Sequence, residues 1–202
     1  YDLSQRNPAV HPTILDGEHQ RQVASLSSGS CLLDGLTFAR GGANSNNSVG
    51  SLLDARSTNS IIRNCTFIDD SSRTYSIYIT GNPDGAKAII DRCTFRNNNS
   101  RQYLINLTYC QISNSLITNN VSSYSTLYSN NNTIIENCDF VRNIVQNALP
   151  IVYNSSSSCL MNNSIVWGNS TTATYSVQSS TYYNLITNCA IQGGISGLGT
   201  NN

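Results

Sequence analysis

Charge is scarce in this 202-residue chain: 11% of residues carry one, the signs cancel, and Lys87 is the sole lysine. A neutral chain has no electrostatic hold on nucleic acid or anionic lipid, which excludes both as partners. From residue 143 to 202 there is no Asp, Glu, Lys, Arg or His. No apolar run approaches the length of a membrane span, so no direct span is expected, and nothing reads as a leader peptide. No window sustains an apolar period of 3.6, which excludes helices. Ligand spacings such as Cys-x-x-Cys are also missing, so neither a metal nor a cofactor is expected. The chain starts at Tyr1 without a Met and stops in a Gly-rich stretch without a cap. Solenoids need polar caps to stay soluble, so the chain is expected to be a piece of a longer protein.

What the chain does have is a repeated string. Ile61-Ile62-Arg63-Asn64-Cys65-Thr66-Phe67 returns at 89–95 and 134–140, and more loosely at 185–191. Copies with serine in the fifth place run over 111–117 and 160–166, and Leu32–Phe38 carries leucine there. The fifth residues are Leu36, Cys65, Cys93, Ser115, Cys138, Ser164 and Cys189, spaced by 29, 28, 22, 23, 26 and 25. A repeat of this size implies a solenoid whose coils bury one another's apolar faces. A second apolar segment lies about ten residues upstream in each coil, for example Ser76–Ile79, Tyr103–Leu107 and Pro150–Tyr153. These segments are β-branched or aromatic and bounded by Asn, Ser, Gly and Pro, which is strand and turn chemistry.

If Ile62 and Cys65 both point inward, a bend must lie between them, because strand side chains alternate faces. The residue before the marker reads Gly35, Asn64, Arg92, Asn114, Asn137, Asn163 and Asn188, with Gly17 in an opening coil matched on Thr13–Gly17. All but Arg92 suit a left-handed bend. Stacked at about 4.8 Å, the asparagines can form an amide ladder. The fold class expected is all-β, a right-handed parallel β-helix of about seven to eight coils in a single domain over 1–202. Residues 1–30 form an irregular first coil, 31–192 the regular coils and 193–202 a tail.

Candidate chemistry is sparse. Seven cysteines recur at two repeat positions, which makes them buried core thiols; Cys65 and Cys93, in adjacent coils, are close enough to bridge, though nothing forces it. Asp69-Asp70 is the one adjacent carboxylate pair and the weak alternative for a catalytic site, since a hydrolase needs two carboxylates at a set separation. The same place in later coils holds Asn97-Asn98 and Asn119-Asn120, which reads as a turn. His11 and His19 lie in the irregular coil without a partner motif. A flat threonine face of the ice-binding kind fails, because Thr37, Thr66 and Thr94 give way to Leu116 and Asp139. The loops at 41–47 and 81–85 read as surface turns. The better lead is tyrosine. Tyr78, Tyr103, Tyr128 and Tyr153, with Tyr75, Tyr124, Tyr175, Tyr182 and Tyr183 nearby, recur in or beside the upstream strand. Pointing outward they would make an amphipathic strip for sugar rings or a protein partner; pointing inward they would be packing.

The phrases Pro12–Gly17, Leu33–Gly42 and Asn162–Ser170 resemble the right-handed β-helix surface proteins of Bacteroidetes-type bacteria, related to polymorphic outer-membrane-protein repeats and often ending in an anchoring or sorting domain. The resemblance implies secretion to the cell surface, associated with the outer membrane. It also implies a non-catalytic adhesin, scaffold or binding role toward a glycan or another surface protein. The alternative is a polysaccharide lyase or glycosidase working in a groove along the coils. Asn-Thr-Asp and Gly-His-Gly signatures of pectin hydrolases are absent.

Overall fold

The computed structural model describes residues 7, 10–27, 29–42, 51–56, 59–156, 158–179 and 186–196. Every sheet pairing in it is parallel and joins a strand to its counterpart one coil away. Four sheets result, and each is named here for the side chains that mark it. The isoleucine sheet stacks seven strands, among them Leu32–Asp34, Ile61–Arg63, Ala88–Asp91 and Ile134–Glu136. After a one-residue bend comes the phenylalanine sheet of eight strands, including Leu36–Ala39, Thr66–Ile68, Thr94–Arg96 and Asp139–Val141. A second bend leads to the serine sheet of four short strands, such as Ser71–Ser72 and Asn99–Ser100. The tyrosine sheet, eight strands including Ile77–Thr80, Ile105–Thr108 and Leu127–Asn130, closes each coil. The four sheets run eight, eight, seven and four strands, and the solenoid amounts to about six turns, slightly fewer than the seven to eight expected. No helix among the described residues is long and apolar enough to cross a membrane.

Alternation within each strand builds the core from like residues stacked in columns. Ile62, Ile90, Ile112 and Ile135 fill one wall, all buried. Phe38, Phe67 and Phe95 fill the next, with ring centroids 4.9 Å apart and interplanar angles of 11° and 6°. A 4.9 Å ring spacing follows from the strand spacing of about 4.8 Å, so the backbone ladder itself sets the stack. The cysteine column sits at the corner: Cys65, Cys93, Cys138 and Cys189 are buried, and none of the seven cysteines is in a disulfide. Each reaches a carbonyl, as Cys65 Sγ does that of Arg63 at 3.2 Å. Where serine replaces cysteine, Ser115 Oγ and Ser164 Oγ accept from the backbone N–H of Cys93 and Cys138 at 3.1 Å. Cys93 is held protonated by the Cys65 thiol and by burial, and burial pushes Cys110 and Cys138 up to about 12.

The bend expected before the marker is present. Gly35, Asn64, Arg92, Asn114, Asn137, Asn163 and Asn188 all have φ between 46° and 66°. Their amides form the expected ladder over part of its length: Asn163 Nδ2 donates to Asn137 Oδ1 at 2.7 Å, and Asn137 Nδ2 to Asn114 Oδ1 at 3.1 Å. The ladder breaks at Arg92, so Asn114 donates to Asp91 instead, at 2.7 Å.

The opening coil differs from the sequence reading. Thr13–Asp16 does not align with Leu32–Asp34; it pairs with Leu36–Ala39 and so belongs to the phenylalanine sheet, with Leu15 over Phe38. Gly17 is therefore not a left-handed bend. It is glycine because a Cβ there would stand 2.6 Å from the Arg21 carbonyl oxygen and 2.7 Å from that of Arg40.

A candidate binding face on the tyrosine sheet

Outward positions of the tyrosine sheet form one column in register: Asp54, Tyr78, Asn106, Tyr128, Tyr153 and Gln178. The inward neighbours, Ile77, Ile79, Ile105 and Leu127, are buried and fix the face that each tyrosine takes. Beside this column, at the entry to the strands, stand Tyr75, Tyr103 and Tyr124. The structure thus brings Tyr78, Tyr103, Tyr128 and Tyr153 together on one wall, half-buried and facing outward. Tyr182 and Tyr183 lie outside the described residues.

The rings touch one another. Tyr75 and Tyr103, one coil apart, lie 6.1 Å apart and nearly parallel at 6°. Tyr103 and Tyr128 are 4.6 Å apart at 37°, and Tyr128 meets Tyr153 at 5.7 Å and 65°. Rings stacked along the solenoid axis spend their faces on each other and turn their edges to solvent. This changes what the strip offers. Tyr75–Tyr78 at 38° and Tyr103–Tyr124 at 43° are also tilted, so the strip presents phenol edges together with oblique ring faces, most openly toward Tyr153. Burial, with a hydrogen bond to Asn106 opposing it, raises the Tyr75 phenol, and burial raises Tyr103. These groups are therefore neutral donors and acceptors at physiological pH.

Charge enters at one end only. Arg56 holds Asp54 through Nε at 2.9 Å and Nη2 at 2.8 Å, and its guanidinium lies 5.3 Å from the Tyr78 ring centroid. At the other end the column runs into a hollow of about 320 Å³ lined by Ala148, Thr172, Ala173, Thr174, Tyr175 and Gln178. Aromatic edges, amides and hydroxyls leading into a concavity suit a neutral ligand rich in hydroxyl groups.

A second concavity, of about 470 Å³, lies on the outer face of the phenylalanine sheet. It contains Asp69, Arg96 and the ion-paired Asp16 and Arg40. The Arg40 guanidinium beside Asp16 holds its carboxyl below the usual range. Asp70 does not share this groove. Asp69 occupies the second bend with φ 56° and is exposed, whereas Asp70 turns inward and is 3% exposed. Burial pushes Asp70 up to about 6 while the Ser51 hydroxyl donates to it at 2.6 Å. The two carboxylates of the sequence pair thus sit on opposite sides of the wall, and no one substrate can meet both.

What the sequence reading missed is the ladder to which Asp70 belongs. Asn98, Asn120, Asn143 and Asn169 follow it in register inside the coil. Asn98 Nδ2 donates to Asn120 Oδ1 at 3.0 Å and to the Phe67 carbonyl at 3.0 Å, and Asn120 and Asn143 repeat the pattern. The signal lay in the doublets: the first member varies through Asp69, Asn97, Asn119, Arg142 and Gly168, while the second is Asn in every one but the first, where it is Asp70.

A family model described as "Right handed beta helix region" matches residues 26–191. The chain belongs to the right-handed β-helix family. No curated protein and no solved structure matches it. The family fixes the coil architecture of this β-helix and leaves its ligand to be argued from the site, because the matched pattern is the structural repeat.

Proposed function

We propose that this β-helix is a non-catalytic, secreted or cell-surface protein that binds a neutral, hydroxyl-rich glycan along the tyrosine sheet. The observation that carries the reading is the continuous strip of Tyr75, Tyr78, Tyr103, Tyr128 and Tyr153, with ring-to-ring contacts throughout and a hollow at its end. Mutual stacking fixes the rings before any ligand arrives, so little side-chain entropy is lost on binding. The resemblance to Bacteroidetes-type surface repeats agrees with an adhesin or scaffold placed at the outer membrane, where glycans are at hand.

The test is calorimetry against a panel of neutral and acidic polysaccharides. Binding of a neutral chain is expected. Tyr128→Ala, at the centre of the strip, should weaken it about tenfold or more, the range of one aromatic anchor. Tyr128→Phe separates the phenol edge from the ring. Unchanged affinity in Tyr128→Ala sinks the assignment of this face. Release of reducing ends, abolished by Asp69→Asn, would instead favour a carbohydrate-active enzyme working in the phenylalanine-sheet groove.

A further inference from the structure

The outer face of the isoleucine sheet carries a column that neither the fold nor the tyrosine face explains. Leu32, Ile61, Ile89, Gln111, Ile134 and Leu160 stand one above another in register, pointing away from the core. Leu32 is 55% exposed, Ile61 39% and Leu160 38%, and Ile89 and Ile134 are half-buried. Singly exposed aliphatic residues are ordinary. Five of the six in one column over about 24 Å, at about 4.8 Å per coil, make an apolar strip that Gln111 alone interrupts. The outward columns of the phenylalanine sheet are broken by polar residues, as Thr66, Thr94 and Asp139 show.

The adjoining outward column says what covers the strip. In coil order it reads Asp34, Arg63, Asp91, Ser113, Glu136, Asn162. We propose that the isoleucine sheet is a homodimer interface, in which two copies pack face to face about a two-fold axis parallel to the strands. Such an axis keeps each column opposite itself and reverses the order of the coils. With the axis between the coils of Asp91 and Ser113, Ile61 faces Ile134 and Leu32 faces Leu160. Arg63 then faces Glu136, Asp34 faces Asn162, and Asp91 faces Ser113. No like charges meet. Moving the axis half a coil either way opposes Asp34 to Glu136, or Asp91 to Glu136. The charge sequence is therefore complementary to its own reverse in the register that overlaps all six of these coils, which is what an isologous contact requires. Within one copy Arg63 engages Asp34 through Nη2 at 3.1 Å, and its Nε has no hydrogen-bond partner. The tyrosine sheet is a separate wall and stays open, so the dimer would carry two such faces.

One sheet face is a small interface, at or below about 1,200 Å² in total, and contacts of that size are weak and reversible. Sedimentation velocity across a concentration series is thus expected to show a monomer–dimer equilibrium in the micromolar range. Arg63→Glu and Glu136→Arg should each weaken association by about tenfold or more, and the double variant should restore it. Ile134→Lys, which leaves the Arg63–Asp34 pair intact, should abolish it; circular dichroism of each variant checks the fold. A protein monomeric at every concentration overturns the proposal, as does a dimer indifferent to Ile134→Lys and to the charge exchange.

Discussion

At the scale of single residues, Asp70 is the misfit that tells most about the core. Its place in the interior ladder calls for an amide, which would donate to Asn98 Oδ1 as Asn98 donates to Asn120 Oδ1. A carboxylate cannot donate. Asp70 Oδ1 has no hydrogen-bond partner, and Asn98 Oδ1 receives only the Asp70 backbone N–H, at 3.0 Å. Gly41, in the coil before, leaves the carboxylate its space, since a Cβ there would stand 2.7 Å from Oδ1. Burial raises the group from 3.8 to about 6, so between those values the folded chain holds a proton that the unfolded chain has lost. Stability attributable to this site therefore falls as pH rises from about 4 to about 6, by up to roughly 3 kcal/mol. Asp70→Asn removes the penalty and supplies the missing donor. Urea denaturation should show the variant more stable than the parent by about 1–3 kcal/mol at pH 7. The gain should largely vanish below pH 4, where the protonated Asp70 carboxyl carries no charge and has an O–H of its own to donate. A variant less stable than the parent at pH 7 would mean that the carboxylate has a role the ladder does not describe.

At the scale of the repeated element, the bend decides how much a coil costs to turn. A non-glycine residue in the left-handed region pays about 1–2 kcal/mol, and asparagine pays least of the side-chain-bearing residues because its amide bonds locally. Arg92 holds φ 51° without that compensation; its bond to Asp91 at 2.9 Å is exposed and worth little. It also interrupts the outer ladder between Asn64 and Asn114. Arg92→Asn should raise stability by about 0.5–1 kcal/mol, read as a rise in the urea midpoint at constant slope. The marker string made this bend legible, because inward Ile62 and inward Cys65 cannot be joined by two ordinary strand residues. The second bend was harder to read. It falls in Asp69-Asp70, Asn97-Asn98 and Asn119-Asn120, where the sequence marks a turn but not that the first residue faces solvent and the second enters the core. Adjacent left-handed and extended residues part by the geometry of the bend, and that geometry takes coordinates to see. The tyrosines were legible as a recurrent set on one kind of strand. Their ring angles, 6° for one pair and 65° for another, come from packing across coils and leave no trace in one coil's sequence. The opening strand was misplaced because Thr13–Gly17 resembles Leu32–Leu36 in letters, whereas the pairing obeys the need to cover Phe38.

At the scale of the molecule, a solenoid has no contacts beyond neighbouring coils, so its stability is a sum of coil terms and nearest-neighbour interfaces. Central coils are covered on both sides and terminal coils on one. Leu15 shows the consequence: it occupies the core column of Phe38 and Phe67, yet is 37% exposed, and among the described residues no strand pairs on its far side. Amide exchange should therefore be slowest in strands such as Ile105–Thr108 and Leu116–Thr118 and quicken toward Thr13–Asp16 and Ala190–Ile191. Phe95 tests whether the coupling is this local. Its ring stacks on Phe67 at 4.9 Å and sits in register with Ile117, at full burial. Truncation to alanine should cost about 3–5 kcal/mol from lost transfer energy and the cavity left behind. In a globular core that loss lowers protection everywhere at once. In this chain it should lower protection most between about residues 61 and 122 and leave Leu160–Trp167 nearer its original rate, because the stack beyond Phe140 does not touch the cavity. Uniform loss of protection along the chain in Phe95→Ala would show that the coils unfold as a single cooperative unit and that the nearest-neighbour description fails.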